Sequence, residues 1–264
     1  MPSIDVDGVN LHYDVEGEGP PLLLIAGLGA NSASWATIKP LLKGRFTCIT
    51  FDNRGVGRSD VPPGPYTIDR MADDTAGLIR ALGHDSVMAV GWSLGGSVLQ
   101  ALLIRHGELV SKAVLLSAFP SYTELQHGWL DCLLALRQSG VAAEAQAMFG
   151  MAWGFTGKLL VDHAALASAA RLGASAPYPT SYEGFAAQAH GLRRYDSRPM
   201  LPTVKTPTLV LVGAEDVLTP VSQSIEMAEL IPNARLQVLP RGGHAMAIEY
   251  TPETVAAITA FLNG

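Results

Sequence analysis

Residues 87–103 read VMAVGWSLGGSVLQALL. The stretch places a strand first, then Gly91-Trp92-Ser93-Leu94-Gly95, then a helix, which is the context a nucleophile elbow requires. In so sharp a turn the serine backbone is strained and its Oγ projects clear of both elements. A glycine two residues before and another two residues after the serine are needed because the strand end and the helix start nearly touch. Gly91 and Gly95 stand at those two positions.

A serine hydroxyl is a poor nucleophile at neutral pH, so it needs a base within hydrogen-bond reach, itself oriented by a carboxylate. After the apolar run TLVLVG comes Ala214-Glu215-Asp216, and after LQVLP comes Arg241-Gly242-Gly243-His244. Both segments are expected in loops that follow strands, where α/β proteins gather their sites. The chain order Ser93, Asp216, His244 is that of a strand-turn-helix nucleophile with its partners downstream. Glu215, one residue nearer the strand, is the rival acid. Backbone donors for a developing oxyanion are expected from Leu94, next to the nucleophile, and from Leu28 in the loop Ala26-Gly27-Leu28-Gly29.

Working outward, Ser3 to Glu16 alternates around Asp7-Gly8, as two strands joined by a tight hairpin turn. Short runs follow at 22–26, 46–51, 87–90, 114–116, 209–212 and 236–239, and they are expected to be buried on both faces. Helical spacing between them is clearest over 67–82, and Thr251 with Pro252 announces a last helix as cap and first residue. Alternating strand and helix imply a mostly parallel sheet and an α/β fold class. Between Phe119 and Pro199 the alternation stops and only helical patterns remain, such as 141–151 and 159–172. The 81 residues of this insertion hold ten of the eighteen aromatics. The expected organisation is a core from 1–119 and 200–264 with a helical cap at 120–199. Trp92 in the elbow and Trp129, Trp153 and Phe155 in the insertion are the candidate substrate-binding side chains, forming an apolar pocket.

The 264 residues include 18 basic and 24 acidic side chains, a formal charge of -6, without a basic run suited to a phosphate backbone. Nucleic acid is therefore not an expected partner, and no apolar stretch near the N-terminus approaches the ~20 residues of a membrane span. MPSIDVDG lacks the charged and apolar regions of a secretory signal, so the expected address is cytoplasmic. Cys48 and Cys132 both sit among apolar residues and are expected to be reduced core residues. The six other histidines show no metal-ligand spacing, so no metal and no cofactor are expected.

Taken together, these motifs resemble the α/β-hydrolase superfamily, in its bacterial esterase and 3-oxoadipate enol-lactonase-like branch. The carriers, besides the elbow, are the glycine loop with Trp35, FDNRGVGRSD (51–60), PTLVLVGAEDVLTP (207–220) and GGHAMAIEYTPE (242–253). The resemblance spans the whole chain and implies a mostly parallel eight-stranded sheet flanked by helices, with an all-helical cap inserted after the sixth strand. The expected activity is that of a cofactor-free serine hydrolase cleaving an uncharged or weakly charged carboxylic ester or lactone with an apolar body through an acyl-enzyme. Carbon-carbon bond hydrolysis, perhydrolysis, and ligand sensing on the same fold are the alternatives; the oligomeric state is open. One departure is Ala26-Gly27 where such proteins often carry His-Gly, so the support of that loop must differ. Arg54 and Arg58 are expected to be structural.

Overall fold

Leu22 and Leu24 pack on one side of the sheet, Leu23 and Ile25 on the other, and all four are fully buried. Such a strand needs cover on both faces, as parallel sheets have. The computed structural model, which describes residues 2–264, supplies it. Its strands are β1 (Ser3–Val6), β2 (Val9–Glu16), β3 (Pro21–Ile25), β4 (Thr47–Phe51), β5 (Val87–Trp92), β6 (Val110–Leu116), β7 (Thr208–Gly213) and β8 (Ala234–Leu239). They form one eight-stranded sheet in the order β1-β2-β4-β3-β5-β6-β7-β8. β2 pairs antiparallel with β1 and β4, and the remaining neighbours are parallel. Asp7 and Gly8, both at positive φ, make the hairpin turn between β1 and β2.

The helices are α1 (Lys39–Leu42), α2 (Ile68–Ala81), α3 (Leu94–His106), α4 (Glu124–Gln138), α5 (Ala143–Gly154), α6 (Gly157–Leu160), α7 (His163–Ala174), α8 (Tyr182–Arg194), α9 (Val221–Leu230), α10 (Met246–Glu249) and α11 (Thr251–Asn263). Apolar residues of α2, α3 and α9 build the core on one face, and Leu42 of α1 with Ala257, Ile258 and Leu262 of α11 build it on the other. Helices α4 to α8 all lie between β6 and β7. A capping box starts this run: Thr123 and Gln126 satisfy each other's backbone N–H.

Four expectations need correction. β8 is not buried on both faces: Arg235 to Val238 are exposed, because β8 is an edge strand with only β7 beside it. The helix expected over 159–172 is two, α6 and α7, broken where the Asp162 carboxylate accepts the N–H groups of Ala164 and Ala165 and starts a new helix. Thr251 does not cap α11; its hydroxyl donates back to the carbonyls of Ala247 and Ile248, because α10 runs directly into α11. Cys48 is a core residue whose thiol is pushed up to about 11 by burial, but Cys132 is exposed on the outer side of α4. Its apolar neighbours sit along one chain segment, not on one side of the helix.

Candidate active site

Ser93 joins β5 to α3 with φ 56° and ψ −118°, a conformation that costs a non-glycine residue about 1–3 kcal/mol. The turn is over-determined by what surrounds it. A Cβ on Gly91 would lie 2.3 Å from the carbonyl oxygen of Gly95, and one on Gly95 would lie 2.0 Å from that of Ile25. Only glycine lets α3 begin against the ends of β3 and β5. Gly95→Ala is expected to destabilise the protein by about 3 kcal/mol or more, since backbone must move. A thermal melt checks this, and an unchanged Tm would contradict the packing described.

Asp216 is buried in the loop after β7. Its Oδ1 accepts the backbone N–H groups of Leu218 (3.0 Å) and Thr219 (2.8 Å), and its Oδ2 accepts the Thr219 hydroxyl (2.7 Å) and stands 3.1 Å from His244 Nδ1. Burial is the strongest influence on this carboxyl and pushes its pKa up. The charge and hydrogen bond of His244 and the Thr219 donors together outweigh it, so the pKa lies below its ordinary 3.8. Glu215 points elsewhere: its carboxylate accepts the Gly242 N–H at 3.1 Å and pairs with Arg241 at 3.2 Å, fixing the loop that carries His244. Trp92 fixes the same loop from the sheet side, donating its indole N–H to the His244 carbonyl at 3.0 Å. Trp92 is also among the residues lining the cavity.

With Nδ1 committed to Asp216 and Thr219, Nε2 is the imidazole nitrogen left for chemistry. His244 and Ser93 line one cavity of about 180 Å³. No hydrogen bond joins them among the described residues; catalytic hydrogen bonds of this kind are often long in the absence of substrate. A Cβ on Gly27 would lie 3.5 Å from that of Ser93, so the loop after β3 borders the serine. Within the loop, the Gly29 N–H is taken by Gln188 Oε1 (3.0 Å) and the Ala30 N–H by the Gly27 carbonyl (3.1 Å). The N–H groups of Leu28 and Leu94 have no partner among the described residues. Where His-Gly is absent, α8 thus supports the loop: Gln188 is fully buried and also donates to the Arg54 carbonyl, while Thr180 donates to the Gly29 carbonyl. Arg54 is paired with buried Asp74, and Arg58 stacks on Tyr178.

Of the candidate substrate contacts in the insertion, Trp129 lines the cavity and Trp153 and Phe155 do not. α5 turns Gly150 and Gly154, one helical turn apart, toward the serine, which carries its aromatics to other sides; Phe155 packs instead on the core beside α11. Residues the sequence pattern did not single out fill the wall: Phe119, Tyr122, Gln126, Leu218 and Thr219. Tyr122 stays a neutral phenol, its pKa raised by burial. Gln126 reaches the acid loop, donating to the Leu218 carbonyl at 2.9 Å. Thr219 was accessible to sequence reasoning: a hydroxyl three residues after a loop aspartate is a recurrent turn-closing pattern.

A family model described as alpha/beta hydrolase fold matches residues 20–250. The chain belongs to the α/β hydrolase fold family. Among the proteins this α/β hydrolase resembles is one from Caulobacter sp. (strain K31) named as a proposed carbamate hydrolase, RutD. It is 32% identical over 273 residues, covering 100% of this chain and 99% of the relative. The crystal structure of the enol-lactonase from Burkholderia xenovorans LB400 matches with TM-score 0.87 and 27% identity over 100% of both chains. A thermophilic esterase from Thermogutta terrifontis matches with TM-score 0.84 and 29% identity, covering 99% of this chain and 96% of that one. These neighbours place the α/β hydrolase in the bacterial esterase and lactonase branch.

Proposed function

We propose that the protein is a cofactor-free serine hydrolase that cleaves a carboxylic ester or lactone with an apolar body through an acyl-enzyme. The observation that carries this is the convergence of a strained, elbow-mounted Ser93 and an Asp216-held His244 on one largely apolar cavity. His244 takes the serine proton at Nε2 as Oγ attacks the carbonyl carbon. Asp216 keeps Nδ1 protonated and offsets the charge of the imidazolium. The N–H groups of Leu28 and Leu94 receive the oxyanion. His244 then returns its proton to the leaving oxygen, and later activates the water that releases the acid. Residues 120–199 act as the cap over a core formed by 1–119 and 200–264, with Trp129 and Tyr122 enclosing the apolar part of the substrate. The named activities of its relatives, enol-lactonase, esterase and carbamate hydrolase, share this acyl-transfer chemistry.

The test is turnover of a panel of p-nitrophenyl esters, lactones and aryl carbamates, with esters or lactones turned over fastest. Absence of multiple turnover on all of them would remove the proposal. Because the folded pKa of Asp216 is depressed, its stabilising contribution is complete above the unfolded value near 3.8 and is lost only as the pH falls through the lower folded value. Circular dichroism across an acid series checks this contribution: the stability advantage of the wild type over Asp216→Asn should shrink as the pH falls below about 3.8, and an advantage that stays constant there would contradict it.

A further inference from the structure

The peptide unit that joins His244 to Ala245 is gripped at both of its polar groups. Its carbonyl accepts the Trp92 indole N–H at 3.0 Å, from the sheet side. Its N–H donates to the Gly154 carbonyl at 2.7 Å, at the end of α5. The second contact is close: a Cβ on Gly243 would lie 2.7 Å from the same Gly154 oxygen. Two residues beyond Gly154 the chain is tied down again. The Glu249 carboxylate accepts the Thr156 backbone N–H at 3.0 Å on Oε2 and the Thr156 hydroxyl at 2.9 Å on Oε1. Thr156 is buried, and Glu249 is the last residue of α10, the short helix that begins directly after Ala245. The Glu249 carbonyl accepts Lys158 Nζ at 2.7 Å, which ties the chain down on the far side of Thr156.

Hydrogen bonds to an ionised acceptor are roughly twice as strong as those between neutral groups. Glu249 directs both of its oxygens to one residue of the segment between β6 and β7. Its effect reaches His244 through the backbone. With the peptide after it held on both sides, His244 keeps its place and its Nδ1 stays 3.1 Å from Asp216 Oδ2. Loss of the Gly154 side would leave that peptide held by Trp92 alone, and a displacement of about 1 Å at a reacting group costs about 10²-fold in rate. We propose that Glu249 is a positioning residue for His244: by holding Thr156 it keeps the Gly154 carbonyl on the Ala245 N–H, and so keeps the imidazole aligned with Asp216 and Ser93. Glu249 is not in the wall of the cavity that Ser93 lines, so it acts through Thr156, Gly154 and Ala245 in turn. The segment 120–199 thereby orients the base as well as enclosing the substrate. This deepens the hydrolase proposal and rests on it for the effect on rate.

Kinetics and proton NMR on purified variants test this. Glu249→Ala is expected to lower kcat for the best ester of the panel by about 10², with KM within about threefold of the wild type. Glu249→Gln, which keeps one acceptor for Thr156, should lose less. Thr156→Val, which removes only the hydroxyl, should lower kcat in the same way, and Thr156→Ser, which keeps the hydroxyl, should retain nearly all of it. Rates are to be measured well below the Tm of each variant, where a loss of stability alone leaves kcat unchanged. The second readout is the far-downfield proton resonance of an imidazole Nδ1–H held by a carboxylate, identified by its absence in His244→Gln. It is expected to be sharp in the wild type and shifted or broadened in Glu249→Ala and Thr156→Val. A kcat within about twofold of the wild type in both of these variants overturns the proposal. So does a loss confined to KM, which would mean that the clamp serves the substrate pocket and not His244. An Nδ1–H resonance unchanged in position and width in both variants overturns it as well. Where Glu249→Ala does not fold, Glu249→Gln and Thr156→Val carry the same test. An altered resonance in these variants, in a protein that turns over no ester, lactone or carbamate, would uphold the positioning and remove the hydrolase proposal alone.

Discussion

Ser93→Ala is expected to lower kcat/KM for the best ester of the panel by at least about 10³, with the melting curve unchanged. The loss follows from removing the only hydroxyl placed on the elbow. The fold survives because Ser93 makes no side-chain capping bond to α3 and its burial is partial. A residual rate above water is also expected, since the Leu28 and Leu94 amides and the apolar walls remain. The positive φ of Ser93 persists with alanine, so no strain is relieved by the change. Steady-state kinetics of purified mutant protein check the result. Retention of more than about a tenth of the wild-type rate would assign the chemistry to another residue.

Asp216→Asn is expected to cost about 10³–10⁴ in kcat/KM, and Glu215→Gln less than about tenfold. The two acids are adjacent in sequence but their environments differ in kind. Asp216 Oδ2 stands against His244 Nδ1 and the Thr219 hydroxyl, so an amide there removes the charge that stabilises the imidazolium and opposes the productive tautomer. The Glu215 carboxylate reaches Gly242 N–H and Arg241, and Gln keeps an acceptor for the first of these. The mutants are to be compared on one substrate, alongside thermal melts. If Glu215→Gln proved the crippled enzyme, the orientation of His244 described above would be wrong.

What the sequence disclosed is what is encoded locally. The elbow could be read because the G-x-S-x-G spacing between a strand run and a helix run is a local pattern, although Gly95 answers to the end of β3 outside that unit, and the strands because burial on both faces leaves a continuous apolar run. The order of the three triad candidates was legible for the same reason: each follows its own strand. The exposure of β8 was not, since an edge position depends on which strands pair, not on the composition of LQVLP. Nor was the inward face of α5. Its Ala-rich sequence has almost no amphipathic direction, so only packing against α7 and the core decides that Gly150 and Gly154, and not Trp153, look at the serine. Gln188 as the support of the loop after β3 joins residues 159 positions apart, and no local pattern announces it. Asp162, by contrast, was a helix-start signal inside an alanine-rich run that periodicity alone had merged.

Reaction with a fluorophosphonate, followed by peptide mass spectrometry, tests most directly whether Ser93 is the nucleophile. A serine becomes phosphonylated only where a base and an oxyanion site activate it, so the label reports the assembled site independently of any choice of substrate. The account predicts one modified peptide, carrying the label on Ser93 within residues 87–103, with labelling suppressed in His244→Ala and absent in Ser93→Ala. A label on any other serine, or labelling that persists without Ser93, would contradict it.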